Sequence, residues 1–112
     1  MNAPNLSRLL ALEAVSRVAD GAGGFVEVWQ ALGAVWAELA PGSGRDVPGE
    51  EVTLASVPYR ITVRAAPYGT PQRPVAGQRF RDGPRVFSVL AVTERGPEAR
   101  FLTCFAREEV LA

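Results

Sequence analysis

The segment Tyr59-Arg60-Ile61-Thr62-Val63-Arg64-Ala65 alternates strictly between apolar and polar side chains. Side chains of an extended strand point alternately to its two faces. Tyr59, Ile61, Val63 and Ala65 therefore face one way, and Arg60, Thr62 and Arg64 the other. That is a half-buried strand, with one face in a core and the other wet or touching a partner. Stretches rich in glycine and proline flank it on both sides. The chain of 112 residues is thus bounded to short strands joined by turns. Its length is one domain's worth, residues 1–112, with a single modest core.

The segments downstream fit the same plan. Gln78 to Arg81 is short and extended, and Asp82-Gly83 marks a hairpin turn. Arg85 to Thr93 is apolar on both faces and reads as a central strand. Arg95-Gly96-Pro97-Glu98 turns the chain into a closing strand, Arg100 to Arg107, that ends at Glu108-Glu109.

Upstream the pattern is mixed. In the N-terminal segment, residues 1–19, Leu, Ala and Glu favour helix, and Leu6, Leu9, Leu10 and Ala14 fit a helical stripe. Asp20-Gly21-Ala22-Gly23-Gly24 ends whatever precedes it. From Phe25 to Leu39, Val26, Val28 and the two tryptophans favour strand, yet Phe25, Trp29, Leu32 and Trp36 stand at helical spacing. Residues 41–56 form a long loop, in which Pro41 to Glu51 has Val47 as its one apolar residue besides the prolines. Its candidate functional part is Pro41, Gly42, Ser43, Gly44, Arg45, Asp46, Val47, Pro48, Gly49, Glu50 and Glu51. The expected fold class is mainly β: a small antiparallel β-barrel or sandwich with one long loop and room for a short helix. Trp36, Ile61, Val63, Phe87, Val89, Phe101 and Phe105 are the expected core.

Composition leaves little chemistry. There is no His and no Lys, so all twelve basic residues are Arg. The commonest general base is missing, as are Ser–His and Cys–His pairs and a lysine base. One Cys without His does not make a usual zinc site. Gly21-Ala22-Gly23-Gly24 is no phosphate loop, because no Lys follows it. Neither an enzyme nor a cofactor-binding protein is expected. Cys104, alone in an apolar run, reads as a buried structural thiol. The N-terminus lacks a basic region followed by an apolar core, and no run of about 18 apolar residues occurs, so synthesis in the cytoplasm without a membrane anchor is expected.

Net charge is zero, which argues against strong non-specific nucleic-acid binding. The charges are nonetheless segregated. Residues 1–51 carry three Arg against seven acids, net −4; residues 52–87 carry six Arg against one Asp, net +5; the remainder is net −1. Arg60, Arg64, Arg79, Arg81 and Arg85 form the densest basic set. Three readings stay open for them: contact with DNA phosphates, pairing with carboxylates of a neighbouring subunit, or a solvated face.

Asp20-Gly-Ala-Gly-Gly24, Trp29, Val35-Trp36-Ala37-Glu38-Leu39, Pro41 and Ser43-Gly44-Arg45-Asp46 occur in an order that resembles the phage head–tail joining, or head-closure, family. Tyr59 to Arg64, Phe80 to Val92 and Phe101 to Glu109 are similar to that family's later strands. The resemblance spans about residues 20–109. It implies a small β-barrel that forms a homo-oligomeric ring, a hexamer, in the neck of a virion or of a gene transfer agent particle. The implied partners are portal or adaptor proteins on the head side, a tail terminator or tail tube on the tail side, and double-stranded DNA in the channel. The implied task is to join head to tail and help retain packaged DNA, with the 41–51 loop projecting into the channel. Another neck ring protein, such as an adaptor or tail terminator, is the nearest alternative. An unrelated small barrel binding single-stranded nucleic acid is a further one, and it would need exposed aromatics beside Arg among Tyr59, Tyr68, Phe80 and Phe87.

Overall fold

A computed structural model describes residues 3–42, 56–96 and 98–109, which hold six β-strands and no helix. The strands are β1 (Arg8–Ala19), β2 (Phe25–Pro41), β3 (Ser56–Arg64), β4 (Arg79–Asp82), β5 (Arg85–Arg95) and β6 (Phe101–Glu109). They close on themselves in the order β1-β2-β3-β6-β5-β4, every pair antiparallel, giving a barrel-like fold. Closure removes the free edges that an open sheet of this size would expose. The room left for a short helix is not used among the described residues.

The helical stripe expected near the N-terminus is a strand instead. Leu10 and Leu12 point inward and are fully buried, while Leu9, next to Leu10 on the opposite face, is exposed. Pairing with β2 along its whole length, and with β4 at Ala11–Glu13, supplies β1 with hydrogen-bond partners and a buried face, and this outweighs helix propensity. β2 is likewise extended throughout. A bulge interrupts its register with β1, between Leu12↔Gly33 and Glu13↔Ala31. A second bulge falls in β5, between Val89 and Ala91.

The interior is filled by Leu10, Leu12, Ala37, Ile61, Val63, Phe80, Phe87, Val89, Leu102, Cys104 and Ala106. Four of the seven expected core residues, Ile61, Val63, Phe87 and Val89, are among them. Three expectations fail. Trp36 points outward and is 55% exposed, and Phe101 and Phe105 are only half-buried on the outer face of β6. The parity of β6 is set by volume. Phe80 and Phe87, paired across β4 and β5, take the bulk of a narrow interior that must fill at crystal-like density. β6 then presents the smaller Leu102, Cys104 and Ala106 inward. Burial pushes the Cys104 thiol up to about 12, so it stays protonated and unreactive as expected for a structural thiol.

Both ends of the interior are closed by polar groups. At one end the 65–78 connection folds across, burying Pro74 and most of Arg73. Arg73 donates to the Ala66 carbonyl at 3.0 Å and stacks on the Tyr68 ring at 3.7 Å. At the other end Arg85 donates to both Glu108 oxygens, at 2.7 and 3.1 Å, and to the Tyr59 hydroxyl at 3.2 Å. Tyr59 meets Phe87 edge-on with ring centroids 5.2 Å apart. The Arg85 guanidinium holds the Glu108 carboxyl below its usual range.

Two outcomes follow from this packing. Leu102→Ala should cost about 2–5 kcal/mol in urea unfolding, and Phe101→Ala less than half as much. Equal losses would mean that the inward face of β6 is misassigned. The Glu108 carboxylate has its pKa lowered on folding, so its contribution is complete above the unfolded carboxylate pKa of about 4.3. It disappears as pH falls through the lower folded value. Glu108→Gln should therefore cost on the order of 1 kcal/mol at pH 7, and the gap to wild type should narrow as pH falls below about 4. A gap that does not narrow with falling pH would show that ionisation of Glu108 contributes nothing.

Candidate functional site

The five arginines singled out in the sequence do not converge. Arg79 and Arg81 lie on β4 beside β1 and share Glu13. Arg79 Nε donates to Glu13 Oε1 at 2.6 Å, and its guanidinium stacks on Trp29 at 4.0 Å. Arg81 Nε lies 3.4 Å from Glu13 Oε2, near enough for charge attraction but without a hydrogen bond. Arg85 is held by Glu108 at one end of the interior. Only Arg60 and Arg64, on the outer face of β3, are exposed and without an ion pair among the described residues.

Those two head different grooves. Arg60 borders a groove of about 510 Å³ with Glu38, Thr62, Thr93, Arg95, Thr103 and Phe105. Its floor is a row in register across four strands, Glu38–Thr62–Thr103–Thr93. Arg95 closes over that row, donating to the Thr62 hydroxyl at 3.2 Å and lying 3.9 Å from Glu38. This explains why the outward-facing Thr62 is buried. Arg64 borders a second and more apolar groove of about 700 Å³, lined by Leu6, Val35, Trp36, Ala65, Pro67 and Gln72 among others.

Sequence reasoning missed the most exposed apolar feature. Beyond Glu13, β1 has no partner except β2, and before Ala37, β2 has none except β1. The two strands leave the barrel as a ribbon, which stretches the molecule to 54 Å against 33 and 26 Å across. Val15, Val18, Phe25, Val26 and Val28 are all exposed on it. The Asp-Gly-Ala-Gly-Gly motif builds its tip. The Asp20 carboxylate accepts from the backbone N–H of Ala22 at 2.7 Å and of Gly24 at 3.0 Å, which lowers its pKa. Gly21 and Gly23 take φ of 81° and 86°, a region open to glycine and strained for other residues. A Cβ on Gly24 would stand 2.8 Å from the Asp20 carboxylate. The signal for a ribbon was present in the motif, but the breaker reads equally well as the end of a helix.

Among the described residues Tyr59, Tyr68, Phe80 and Phe87 do not make a continuous stacking platform for single-stranded nucleic acid, Tyr68 alone of the four being exposed. Phe80 and Phe87 are fully buried, Tyr59 packs on Phe87, and Tyr68 is covered on one face by Arg73. Among the described residues no three potential metal-ligating side chains come together. Nor, among the described residues, is any helix long and apolar enough to cross a membrane. Pro41 ends β2, and the Gly42 N–H donates to the Pro58 carbonyl at 2.9 Å. Ser43, Gly44, Arg45, Asp46, Val47, Pro48, Gly49, Glu50 and Glu51 lie outside the described residues.

This architecture has counterparts among known proteins. A chain from the virion of a native gene transfer agent particle superposes with a TM-score of 0.80 at 60% identity, covering 98% of this chain and all of that one. The solution structure of protein SF1141 from Shigella flexneri 2a shares the fold, with a TM-score of 0.66 at 22% identity over 96% of each chain. None of the curated proteins matches. The family model described as phage head completion protein matches residues 1–109. A closed six-stranded ring with an outward ribbon, matched over nearly its whole length by that model, belongs to the phage head completion protein family.

Proposed function

We propose that this chain is a structural protein at the head–tail interface of a phage or gene transfer agent particle, and that it acts as a ring of six copies. The observation that carries the reading is the head completion match over residues 1–109. The 60% identical chain in a gene transfer agent virion points to the particle type. The ring joins the portal or adaptor proteins of the head to the tail terminator or tail tube, and retains packaged double-stranded DNA.

The side chains suit a protein that works by contact rather than by catalysis. The one thiol is buried and protonated, and neither His nor Lys is present to move protons. Three of the five arginines of the basic set are engaged within the chain, Arg79 and Arg81 sharing Glu13 and Arg85 held by Glu108. DNA passing such a ring meets few free cations to arrest it. A cyclic ring needs one heterologous contact repeated, in which two different patches of each copy meet. The ribbon and the two outer grooves are different patches on one molecule.

Particles made without this chain should accumulate filled or leaking heads and free tails, seen by electron microscopy, and supplying the chain should restore joined particles. Quantitative mass spectrometry of the restored particles should give about six copies each. Fully joined, infectious or gene-transferring particles in its absence would overturn the joining role. One copy per particle would overturn the ring.

A further inference from the structure

The ribbon is the part of this fold least able to exist alone. A two-stranded hairpin is marginally stable in water, and this one is exposed on both faces. Its base is nonetheless clamped, by Trp29 under Arg79 and Arg79 on Glu13, and its tip is locked by the Asp20 carboxylate. A rigid arm with exposed apolar side chains is preorganised for a partner, since little ordering entropy remains to be lost on docking.

Side-chain parity says which groups the arm offers together. Phe25, Glu27, Trp29 and, from β1, Arg17 share one face, because Ala19 pairs with Phe25, Arg17 with Glu27 and Val15 with Trp29. Phe25 is 60% exposed, the most exposed large apolar side chain of the arm, and Arg17 stacks on it at 4.8 Å. Glu27, two residues on, is exposed and has no ion-pair partner among the described residues.

The groove beside Trp36 is the complement of that face. It is apolar along Leu6, Trp36 and Pro67, and Arg64 stands on its border with its charge unmet among the described residues. An aromatic anchor in an apolar groove beside one charge pair is the composition of an interface hot spot. The groove cannot take the arm of its own chain. Nine residues of extended strand, about 30 Å, separate Glu27 from Trp36. The occupant is therefore another molecule that carries this face.

We infer that the arm of one copy docks on the next copy in the ring, with Phe25 seated in the groove by Trp36 and Glu27 paired with Arg64. This rests on the ring reading above and names its contact. The arm extends about 20 Å beyond Glu13, most of the way across a neighbour that is 26–33 Å wide. Arm and groove are different patches, so the contact repeats head to tail and closes only as a ring.

The test uses particles carrying Glu27→Cys together with Arg64→Cys. Both sites are exposed, and the native Cys104 is buried and unreactive. Treatment with a short bismaleimide should give a ladder of covalent multimers of the 12.0 kDa chain on denaturing gels, and either single variant should give none. Particles that contain several copies but give no ladder would overturn the arm contact and leave the ring standing. So would a cross-link from position 27 to a different particle protein. A single copy per untreated particle would instead remove the ring reading itself. If the double-cysteine chain fails to enter particles, charge reversal decides. Glu27→Arg and Arg64→Glu should each lower incorporation at least tenfold, and the two combined should restore it; absence of rescue would overturn the pairing.

Discussion

Three residue pairs between β1 and β4, Ala11↔Arg81, Leu12↔Phe80 and Glu13↔Arg79, turn an open sheet into a closed ring of strands. The seam is short because β4 has only four residues, and charge reinforces it. Glu13 is shared by Arg79 and Arg81, and Arg8 pairs with Asp82 at its other end. Once the seam is made, the inner face is sealed and Leu12 and Phe80 become core. The remainder of β1 then has nothing to pair with except β2. The seam thus creates both the barrel-like interior and the arm that leaves it.

Arginine without lysine suits this design. Its planar fork stacks and donates at the same time, and the chain uses both properties at single residues. Arg79 lies on Trp29 while donating to Glu13. Arg73 lies on Tyr68 while donating to a loop carbonyl. Arg85 grips Glu108 with two nitrogens and reaches Tyr59 with one of them. The basic segment of the sequence is therefore consumed mostly in holding a small core shut. This leaves Arg60 and Arg64 as the outward-facing cations of β3.

For a head completion protein the division between barrel and arm has a mechanical sense. The interior is filled by apolar side chains, so a copy resists deformation as a unit. The arm, the outer face of β3 and β6, and the rims all lie outside that interior. Such a protein can keep one core while its surfaces meet unlike neighbours on the head side and the tail side. The buried, protonated Cys104 fits the same pattern, since it contributes volume and no reactivity.

Alternation over Tyr59–Ala65, and the Gly/Pro punctuation after it, were enough to read β3 through β6 as strands, because a half-buried strand writes its two faces into a period of two. The same local signals identified the mainly β class and the family resemblance. They failed where the outcome depends on distant residues. Leu6, Leu9, Leu10 and Ala14 satisfy a helix until β2 and β4 arrive on either side with open hydrogen-bonding edges. Phe101 and Phe105 look like core until Phe80 and Phe87 occupy the interior and leave β6 room only for Leu102, Cys104 and Ala106. The basic set looks like a site until Glu13, shared by Arg79 and Arg81, and Glu108, beside Arg85, draw three of its five members into pairs within the chain. Propensity and periodicity are properties of neighbours along the chain, whereas strand parity, seam closure and charge pairing are settled by volume and distance between segments that meet only when folded.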